Sequence, residues 1–157
     1  MSFSRYDIIS LEKISGKEDE AGMHESRTLI NGLIESEMDL GIPNTRIILG
    51  GFSQGAAMTL LTGLSSPIKL GGLVALSGYL PLLPKFTEYS SHANKQTPLF
   101  MGHGDADQVV RYNYGFDSSQ YLKKAGYPVQ FETYRGMGHS SCDQEFQDLV
   151  KFLQSRL

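Results

Sequence analysis

Four short segments rich in apolar and β-branched residues alternate with longer segments of helical periodicity, and this alternation restricts the fold more than any other feature of the chain. The four segments, predicted as strands, are 46–51, 72–77, 98–102 and 129–134. The first is apolar on consecutive positions, which is typical of a strand that is covered on both faces. Strands separated by helices predict an α/β fold, in which a parallel sheet carries helices on both faces.

Apolar residues spaced three or four apart mark the predicted helices. In the first of them Ile30 and Ile34 lie on one face, and Gly41 and Pro43 are residues of the kind that end a helix. The predicted helices span residues 20–40, 54–64, 112–125 and 144–157. No regular element is predicted for 79–97, and irregular segments of this length often form lids or binding loops.

Length and charge limit the functions open to the chain. Its 157 residues correspond to a single domain, and 40% of them are apolar, which is sufficient for a packed core. Fourteen basic residues are interspersed with seventeen acidic ones for a net charge of −3, so we expect no cationic surface for nucleic acid. No apolar run approaches the roughly 18 residues that span a bilayer, and the N-terminus lacks the apolar stretch of a signal peptide. These features predict a protein without stable membrane insertion. Because the lone Cys142 cannot form an internal disulfide, we also expect the protein to be cytoplasmic.

The segment Gly51-Phe-Ser-Gln-Gly55 is the motif with the clearest chemical content. It has the form G-x-S-x-G and lies between a predicted strand and a predicted helix. We expect the two glycines to flank a turn that is too tight for Cβ atoms and that exposes the serine hydroxyl. A glycine-rich turn can also be purely structural, or it can bind a phosphate group. The phosphate alternative lacks the Lys-Ser/Thr of a P-loop and the spacing G-x-G-x-x-G. We therefore favour Ser53 as a nucleophile.

A serine hydroxyl needs a base to accept its proton and an acid to orient that base. Among the four histidines, His139 follows the last predicted strand, so we expect it at the carboxyl edge of the sheet, where Ser53 also lies. His24 and His92 fall in segments where an exposed surface role is expected. His103 directly follows a buried strand, and we expect its side chain to brace the turn there.

Asp105 and Asp107 follow the third predicted strand at the same edge and are the candidate acids. Their place in the chain, after the serine and before the histidine, is the order found in α/β-hydrolases. A calcium loop is the competing interpretation, but counted from Asp105 no glycine occupies the sixth position of an EF-hand, and Phe116 occupies the twelfth. Cys142 lies three residues from the histidine with no turn signal of its own, so we interpret it as a packed side chain rather than a nucleophile.

Three motifs carry a resemblance to a known family. They read Gly-Gly-Phe-Ser-Gln-Gly at 50–55, His-Gly-Asp-Ala-Asp-Gln-Val-Val at 103–110 and Gly-His-Ser-Ser-Cys-Asp-Gln-Glu at 138–145. These segments resemble the acyl-protein thioesterase and lysophospholipase family of α/β-hydrolases. Shorter matches at 18–22, 41–43 and 46–50 extend the likeness over nearly the whole chain.

The resemblance implies a role for each residue that matches a motif. Ser53 would be the nucleophile, and His139 would act as general base and then as general acid. The family's G-x-x-D spacing selects Asp107 over Asp105 as the carboxylate that orients the imidazole. The backbone N–H of Gln54 would be one donor of the oxyanion hole.

The resemblance also implies a substrate class. The family hydrolyses long-chain acyl thioesters of S-acylated (palmitoylated) proteins, with overlapping activity on lysophospholipids and carboxylic esters, through an acyl-enzyme and without a metal or organic cofactor. Leu80, Leu82 and Leu83 at the start of the irregular segment are candidates for the acyl pocket. Packing over the edge of the sheet is the equally supported alternative for these leucines.

The likeness is incomplete at the N-terminus. Family members have further strands and a His-Gly-Leu-Gly-Asp-like loop with a second oxyanion donor, whereas the match here starts near 4–8, with Arg5 in place of a tryptophan. We therefore expect residues 1–157 to form a single α/β-hydrolase-like domain that is N-terminally incomplete. Its first strand would lack a neighbour and promote self-association. The alternative function is a catalytically impaired family member that acts as a binding module or has no function.

Overall fold

The structure, a computed structural model, describes residues 19–156. Four β-strands in this part of the chain form one parallel sheet in the order β1-β2-β3-β4. They are β1 (Ile48–Phe52), β2 (Gly72–Leu76), β3 (Leu99–Gly104) and β4 (Val129–Tyr134). The four predicted strands and their parallel arrangement are confirmed. Because all strands run in one direction, their carboxyl ends lie at the same edge of the sheet.

The described residues contain five α-helices. These are α1 (Glu20–Asp39), α2 (Gln54–Ser65), α3 (Phe86–Tyr89), α4 (Tyr112–Lys124) and α5 (Asp143–Gln154). The four predicted helices are confirmed, with ends that shift by no more than three residues. The short helix α3 and a 3₁₀ turn at Leu83–Lys85 lie in the segment for which the sequence predicts no regular element. Helices of three or four residues complete about one turn, so they leave no periodic apolar pattern to recognise.

The ends of α1 follow from the local sequence. At the start, Oδ1 of Asp19 accepts a hydrogen bond from the backbone N–H of Gly22 at 3.0 Å, which caps the helix. At the other end, Gly41 has a φ of 90°, a conformation that glycine adopts without a steric penalty. The predicted role of this glycine in ending the helix is confirmed.

Side chains of the central strands alternate between two apolar layers, as expected for a sheet covered on both faces. Leu73 of β2 and Met101 of β3 belong to a buried cluster that includes residues of α1, α2 and α4. Val74 and Phe100, one position away in each strand, pack instead with Phe152 of α5. The α/β architecture with helices on both faces is therefore confirmed.

Among residues 19–156, no helix combines the length and the apolar composition needed to cross a membrane. Two sequence observations lie outside the described residues: the likeness at 4–8, and Leu157 at the end of the last predicted helix.

Candidate active site

Ser53 occupies a sharp turn between β1 and α2. Its backbone has φ 56° and ψ −117°, which is an unfavourable conformation for a residue with a side chain. The surrounding backbone holds this conformation, since the N–H of Ser53 donates to the carbonyl of Leu76 at 2.8 Å. The carbonyl of Ser53 accepts from the N–H groups of Ala56 and Ala57 at 3.0 and 3.2 Å. The serine is thus fixed at the carboxyl edge of the sheet, between a strand and a helix, as predicted.

The two glycines of the motif have different reasons to be glycine. A Cβ at Gly51 would overlap the backbone carbonyl of Gly55, so the close approach of strand and helix excludes any side chain there. A Cβ at Gly55 would meet no described atom within 4 Å. The expectation that both positions exclude a side chain is therefore confirmed for Gly51 and wrong for Gly55, which faces open space on the first turn of α2.

Three side chains that are far apart in sequence form a continuous line of hydrogen bonds. Nε2 of His139 lies 2.9 Å from the Oγ of Ser53, and Nδ1 lies 2.8 Å from Oδ2 of Asp107. An ionised carboxylate can only accept, so Nδ1 carries the proton and Nε2 is left to accept the serine hydroxyl. The arrangement can transfer a proton from the serine to the imidazole and stabilise the imidazolium that results.

The carboxylate of Asp107 is buried and held by several donors. Its Oδ1 accepts the backbone N–H groups of Val109 and Val110 at 2.8 and 3.0 Å. Its Oδ2, besides contacting His139, lies 3.3 Å from Nε2 of His103. These contacts fix which oxygen of the carboxylate faces His139.

His103 is buried beside the site and supports the turn that carries Asp107. Its Nε2 lies 2.8 Å from the carbonyl oxygen of Val110, which agrees with the predicted bracing role. Burial lowers the pKa of His103, and this effect outweighs the hydrogen bond to Val110 and the carboxylate of Asp107, which act in the opposite direction. A neutral His103 adds no second positive charge next to His139.

Two residues of the site are absent from the sequence prediction. A Cβ at Gly115 in α4 would overlap Nδ1 of His103, so this glycine makes the space that the buried imidazole occupies. The aromatic ring of Phe52 lies against the ring of His139, with 4.8 Å between centroids. Neither contact leaves a local signal in the sequence, although Phe52 occupies a variable position of the G-x-S-x-G motif.

The structure also places the residues that were predicted for the oxyanion hole and the acyl pocket. Gln54 is the first residue of α2, so its backbone N–H lies at a helix N-terminus next to Ser53. Leu80 is buried in the cluster shared by α1, α2 and α4, whereas Leu82 is buried in a separate cluster with Met23 and Met58 of α1 and α2. Leu83 is 39% exposed. Of the three leucines, Leu83 is the one with an exposed side chain in the described structure.

The remaining candidates lie apart from this line of hydrogen bonds. Asp105 accepts a hydrogen bond from the backbone N–H of Gly136, so the geometry distinguishes it from Asp107, which contacts His139. Cys142 is partly buried at the start of α5. His92 is exposed, as expected, whereas His24 is partly buried in α1, where it pairs with Glu20 at 3.5 Å.

The sequence model of a family described as Phospholipase/Carboxylesterase matches residues 2–157. The chain belongs to the phospholipase/carboxylesterase family. The resemblance stated from the three motifs is thereby confirmed, and so is the α/β-hydrolase fold class.

Several members of the family are named acyl-protein thioesterases. Acyl-protein thioesterase 1 of Neurospora crassa is 48% identical over 158 residues, which cover 97% of this chain and 64% of that protein. Acyl-protein thioesterase 1 homolog 1 of Dictyostelium discoideum is 48% identical over 156 residues, which cover 98% of this chain and 68% of that protein. The chain therefore spans about two thirds of the length of these relatives, and slightly less in the Neurospora protein.

Solved structures of larger proteins contain the same fold. Arabidopsis thaliana SOBER1 superimposes with a TM-score of 0.91 at 29% identity, covering 98% of this chain and 73% of that one. Zea mays acyl-protein thioesterase 2 superimposes with a TM-score of 0.78, also at 29% identity, covering 89% of this chain and 67% of that one. Nearly all of the described fold is thus contained within these two larger proteins.

Proposed function

We propose that the chain is a serine hydrolase that cleaves fatty-acyl thioesters of S-acylated proteins, together with related lysophospholipid and carboxylic esters. The observation that carries the proposal is the line of hydrogen bonds from the Oγ of Ser53 through His139 to Asp107. Close similarity to proteins named acyl-protein thioesterase 1 supports the substrate class. The same geometry favours an enzyme over a non-catalytic binding module.

In the first half of the proposed reaction, the Oγ of Ser53 attacks the acyl carbonyl while Nε2 of His139 takes the serine proton. The C–S bond of the tetrahedral intermediate then breaks, and His139 returns the proton to the departing thiolate, which leaves as a protein thiol. In the second half, His139 takes a proton from a water molecule that attacks the acyl-enzyme. The bond between the Oγ of Ser53 and the acyl carbon then breaks, His139 returns the proton to Ser53, and a fatty acid is released. Asp107 remains ionised throughout and holds the imidazole in the required tautomer.

The oxyanion of the tetrahedral intermediate needs preorganised donors. We assign one of them to the backbone N–H of Gln54, because it directly follows the nucleophile at the start of α2, where the helix dipole also favours negative charge. A second donor is usual in such sites, and the loss of one donor typically costs about a hundredfold to a thousandfold in turnover. An acyl chain would contact the exposed part of the segment after β2, of which Leu83 is the accessible member of the predicted pocket.

Covalent labelling tests the assignment of the nucleophile. A fluorophosphonate probe reacts with activated serine hydroxyls, so we expect it to label the folded chain at Ser53. Ser53→Ala should abolish labelling, whereas the control Ser155→Ala, which changes an exposed serine at the end of α5, should leave it unchanged. Folded protein that resists the probe, or that is labelled equally well without Ser53, would contradict the proposal.

Hydrolysis tests the substrate class and the oxyanion hole together. Purified chain should release a medium-chain acyl group from a thioester faster than the Ser53→Ala variant does. The same chain extended by the N-terminal segment of a family member should turn over about a hundredfold to a thousandfold faster if that segment provides the second donor. Equal rates for the two proteins would show that the added segment provides no second oxyanion donor.

We further propose that the chain associates with itself through β1. Within the described residues β1 pairs with β2 alone, so its other edge offers unpaired backbone groups. An apolar cavity of about 320 Å³ lies beside this edge, between α1 and α2, and Leu29, Leu33 and Leu49 are among its lining residues. Pairing of an edge strand with another chain would cover both features.

A further inference from the structure

We propose that Asp105 is a positioning residue for the hydrolytic reaction, acting by holding the loop that carries His139. The inference rests on the proposed function, because it concerns the alignment of the proposed base with its acid. Asp105 lies two residues before Asp107, yet its carboxylate does not point along the line of hydrogen bonds to the serine. It reaches instead to the loop after β4, where Oδ1 accepts the backbone N–H of Gly136 at 2.6 Å.

This hydrogen bond belongs to a set that joins the loop after β3 to the loop after β4. The paired strands end with Gly104 opposite Tyr134. Beyond that point the N–H of Asp105 donates to the carbonyl of Tyr134 at 3.2 Å, and the N–H of Ala106 donates to the carbonyl of Met137 at 3.1 Å. We call these two bonds, together with the Asp105–Gly136 bond, the loop clasp.

Within the loop clasp the carboxylate of Asp105 accepts a hydrogen bond from a backbone N–H, as a backbone carbonyl does in the sheet. Gly136 has a φ of 72°, so the backbone turns there, and the N–H of Gly136 is directed to the carboxylate. Hydrogen bonds from a backbone N–H to a carboxylate are short and strong compared with those to a neutral acceptor. The loop clasp therefore continues the hydrogen bonding between the two segments past the end of the sheet. It does so at a turn where regular pairing of strands ends.

Close packing between the loops leaves little freedom for them to slide. A Cβ at Gly104 would overlap the carbonyl oxygen of Met137, so the two backbones are in direct contact at this point. Asp107 comes two residues after Asp105, and His139 comes two residues after Met137. The loop clasp thus lies immediately before both members of the acid–base pair, whose Oδ2 and Nδ1 atoms are 2.8 Å apart.

Loss of the clasp's side-chain bond would release Gly136 while the two backbone bonds remain. We expect His139 then to sample positions displaced from Asp107 and Ser53, so that a smaller fraction of the protein is aligned for proton transfer. Misplacement of a catalytic group by about 1 Å can cost on the order of a hundredfold in rate. Since Asp105 touches neither the nucleophile nor the base in this structure, the effect should appear in kcat and not in substrate binding.

Three variants of the full chain separate this role from a general effect on folding. Asp105→Ala removes the acceptor and should lower kcat for ester hydrolysis about tenfold to a hundredfold with KM unchanged within a factor of about two. Asp105→Asn keeps an oxygen that can accept from Gly136 and should restore kcat to within about threefold of the parent chain. Asp117→Ala, which removes an exposed carboxylate from α4, is the matched control and should behave like the parent.

A spectroscopic readout keeps the inference testable whether or not the chain hydrolyses the chosen ester. The proton shared between Nδ1 of His139 and Asp107 gives a low-field proton NMR signal when it is held in a short hydrogen bond. We expect this signal in the parent chain and in Asp105→Asn, and its loss or broadening in Asp105→Ala at unchanged circular dichroism.

The outcomes separate this inference from the proposed function. An Asp105→Ala variant with the parent's kcat and NMR signal would overturn the positioning role, and so would an Asp105→Asn variant as impaired as Asp105→Ala. By contrast, absence of hydrolysis by the parent chain, with the NMR signal present and sensitive to Asp105→Ala, would count against the proposed function alone.

Discussion

Glu145 is a buried carboxyl group whose environment makes it sensitive to pH. Its side chain, in the first turn of α5, is completely inaccessible to solvent, and neither oxygen has a hydrogen-bond partner among residues 19–156. It lies against the sheet at Gly102, where a Cβ would come within 2.7 Å of Oε1. Burial raises the pKa of Glu145 to about 7, so the folded protein holds it protonated in mildly acidic solution.

We expect the Glu145→Gln variant to lose part of the pH dependence of stability. In the parent, the unfolded chain ionises Glu145 near its ordinary pKa of 4.5 and the folded chain only near 7, so the free energy of unfolding falls as the pH rises between these values. The loss should be on the order of 2 kcal/mol, and the neutral amide should not show it.

Denaturant unfolding of both proteins at pH 5, 6, 7 and 8 measures this effect. His103 contributes in the opposite direction, since its lowered pKa makes the folded state gain stability as the pH rises toward 6.5. That contribution is common to both proteins and cancels in their difference. Parallel curves for the parent and Glu145→Gln would show that the carboxyl group does not titrate in this range.

The amide variant Asp107→Asn tests the proposed orientation of the imidazole. An asparagine can donate to Nδ1 and thereby place the imidazole proton on Nε2, where it can no longer accept from Ser53. We expect kcat for ester hydrolysis to fall by about 10⁴-fold with the fold intact. Asp117→Asn on the exposed side of α4 is the control, and a comparable loss in that variant would mean that the effect is not specific to the line of hydrogen bonds.

The passage from β1 into α2 is the element that presents the nucleophile, and its two glycines make different demands. The backbones of Gly51 and Gly55 are in contact on one side of Ser53, so the strand and the helix could not approach as they do with a side chain at Gly51. Gly55 lies on the first turn of the helix with open space beside it. An added methyl group would therefore clash with backbone at Gly51 but would fit at Gly55.

We expect Gly51→Ala to lower the free energy of unfolding by about 3 kcal/mol or more, because the clash is with backbone atoms that cannot rotate away. Gly55→Ala should change it by no more than about 1 kcal/mol, since alanine is favoured over glycine within a helix. Thermal or denaturant unfolding of the pair provides the comparison. Equal destabilisation by the two substitutions would contradict the close contact that makes this turn tight.

Within residues 19–156, β1 and β4 are the outer strands of the sheet, and their edges differ in character. β4 carries Gln130, Glu132 and Thr133, and polar residues of this kind discourage pairing with another chain. β1 consists of apolar residues and glycine, and α1 beside it exposes apolar side chains such as Leu29 and Leu33. An apolar surface next to a strand edge without a partner among residues 19–156 is the surface on which we expect association.

A charged residue at the rim of the apolar cavity should weaken self-association. Leu33, 67% exposed, lines the cavity beside β1, whereas Leu40, 79% exposed, is not among its lining residues. We expect the parent chain to show concentration-dependent association by analytical ultracentrifugation, Leu33→Glu to shift it toward the monomer, and Leu40→Glu to resemble the parent. A parent chain that stays monomeric at all concentrations would refute the association.

Local sequence patterns determined the strands, the longer helices and the tight turn at Ser53. Each of these depends on residues within a few positions of one another: apolar periodicity, the glycine that ends α1, and the G-x-S-x-G spacing. The order of strands also predicted that Ser53 and His139 lie at one edge of the sheet, because parallel strands present their carboxyl ends together. α3 was beyond the reach of this approach, since one helical turn has no period.

Only the tertiary structure decided which atoms meet. From the residues alone Asp105 and Asp107 are equivalent candidates, and they separate because one contacts His139, 32 positions away, and the other contacts Gly136. The burial of Glu145 and the space that Gly115 leaves for His103 also result from contacts between residues that are remote in the sequence. Hydrogen-bond distances and exclusion from water depend on residues that the chain brings together from remote positions, and no local pattern records which neighbours those will be.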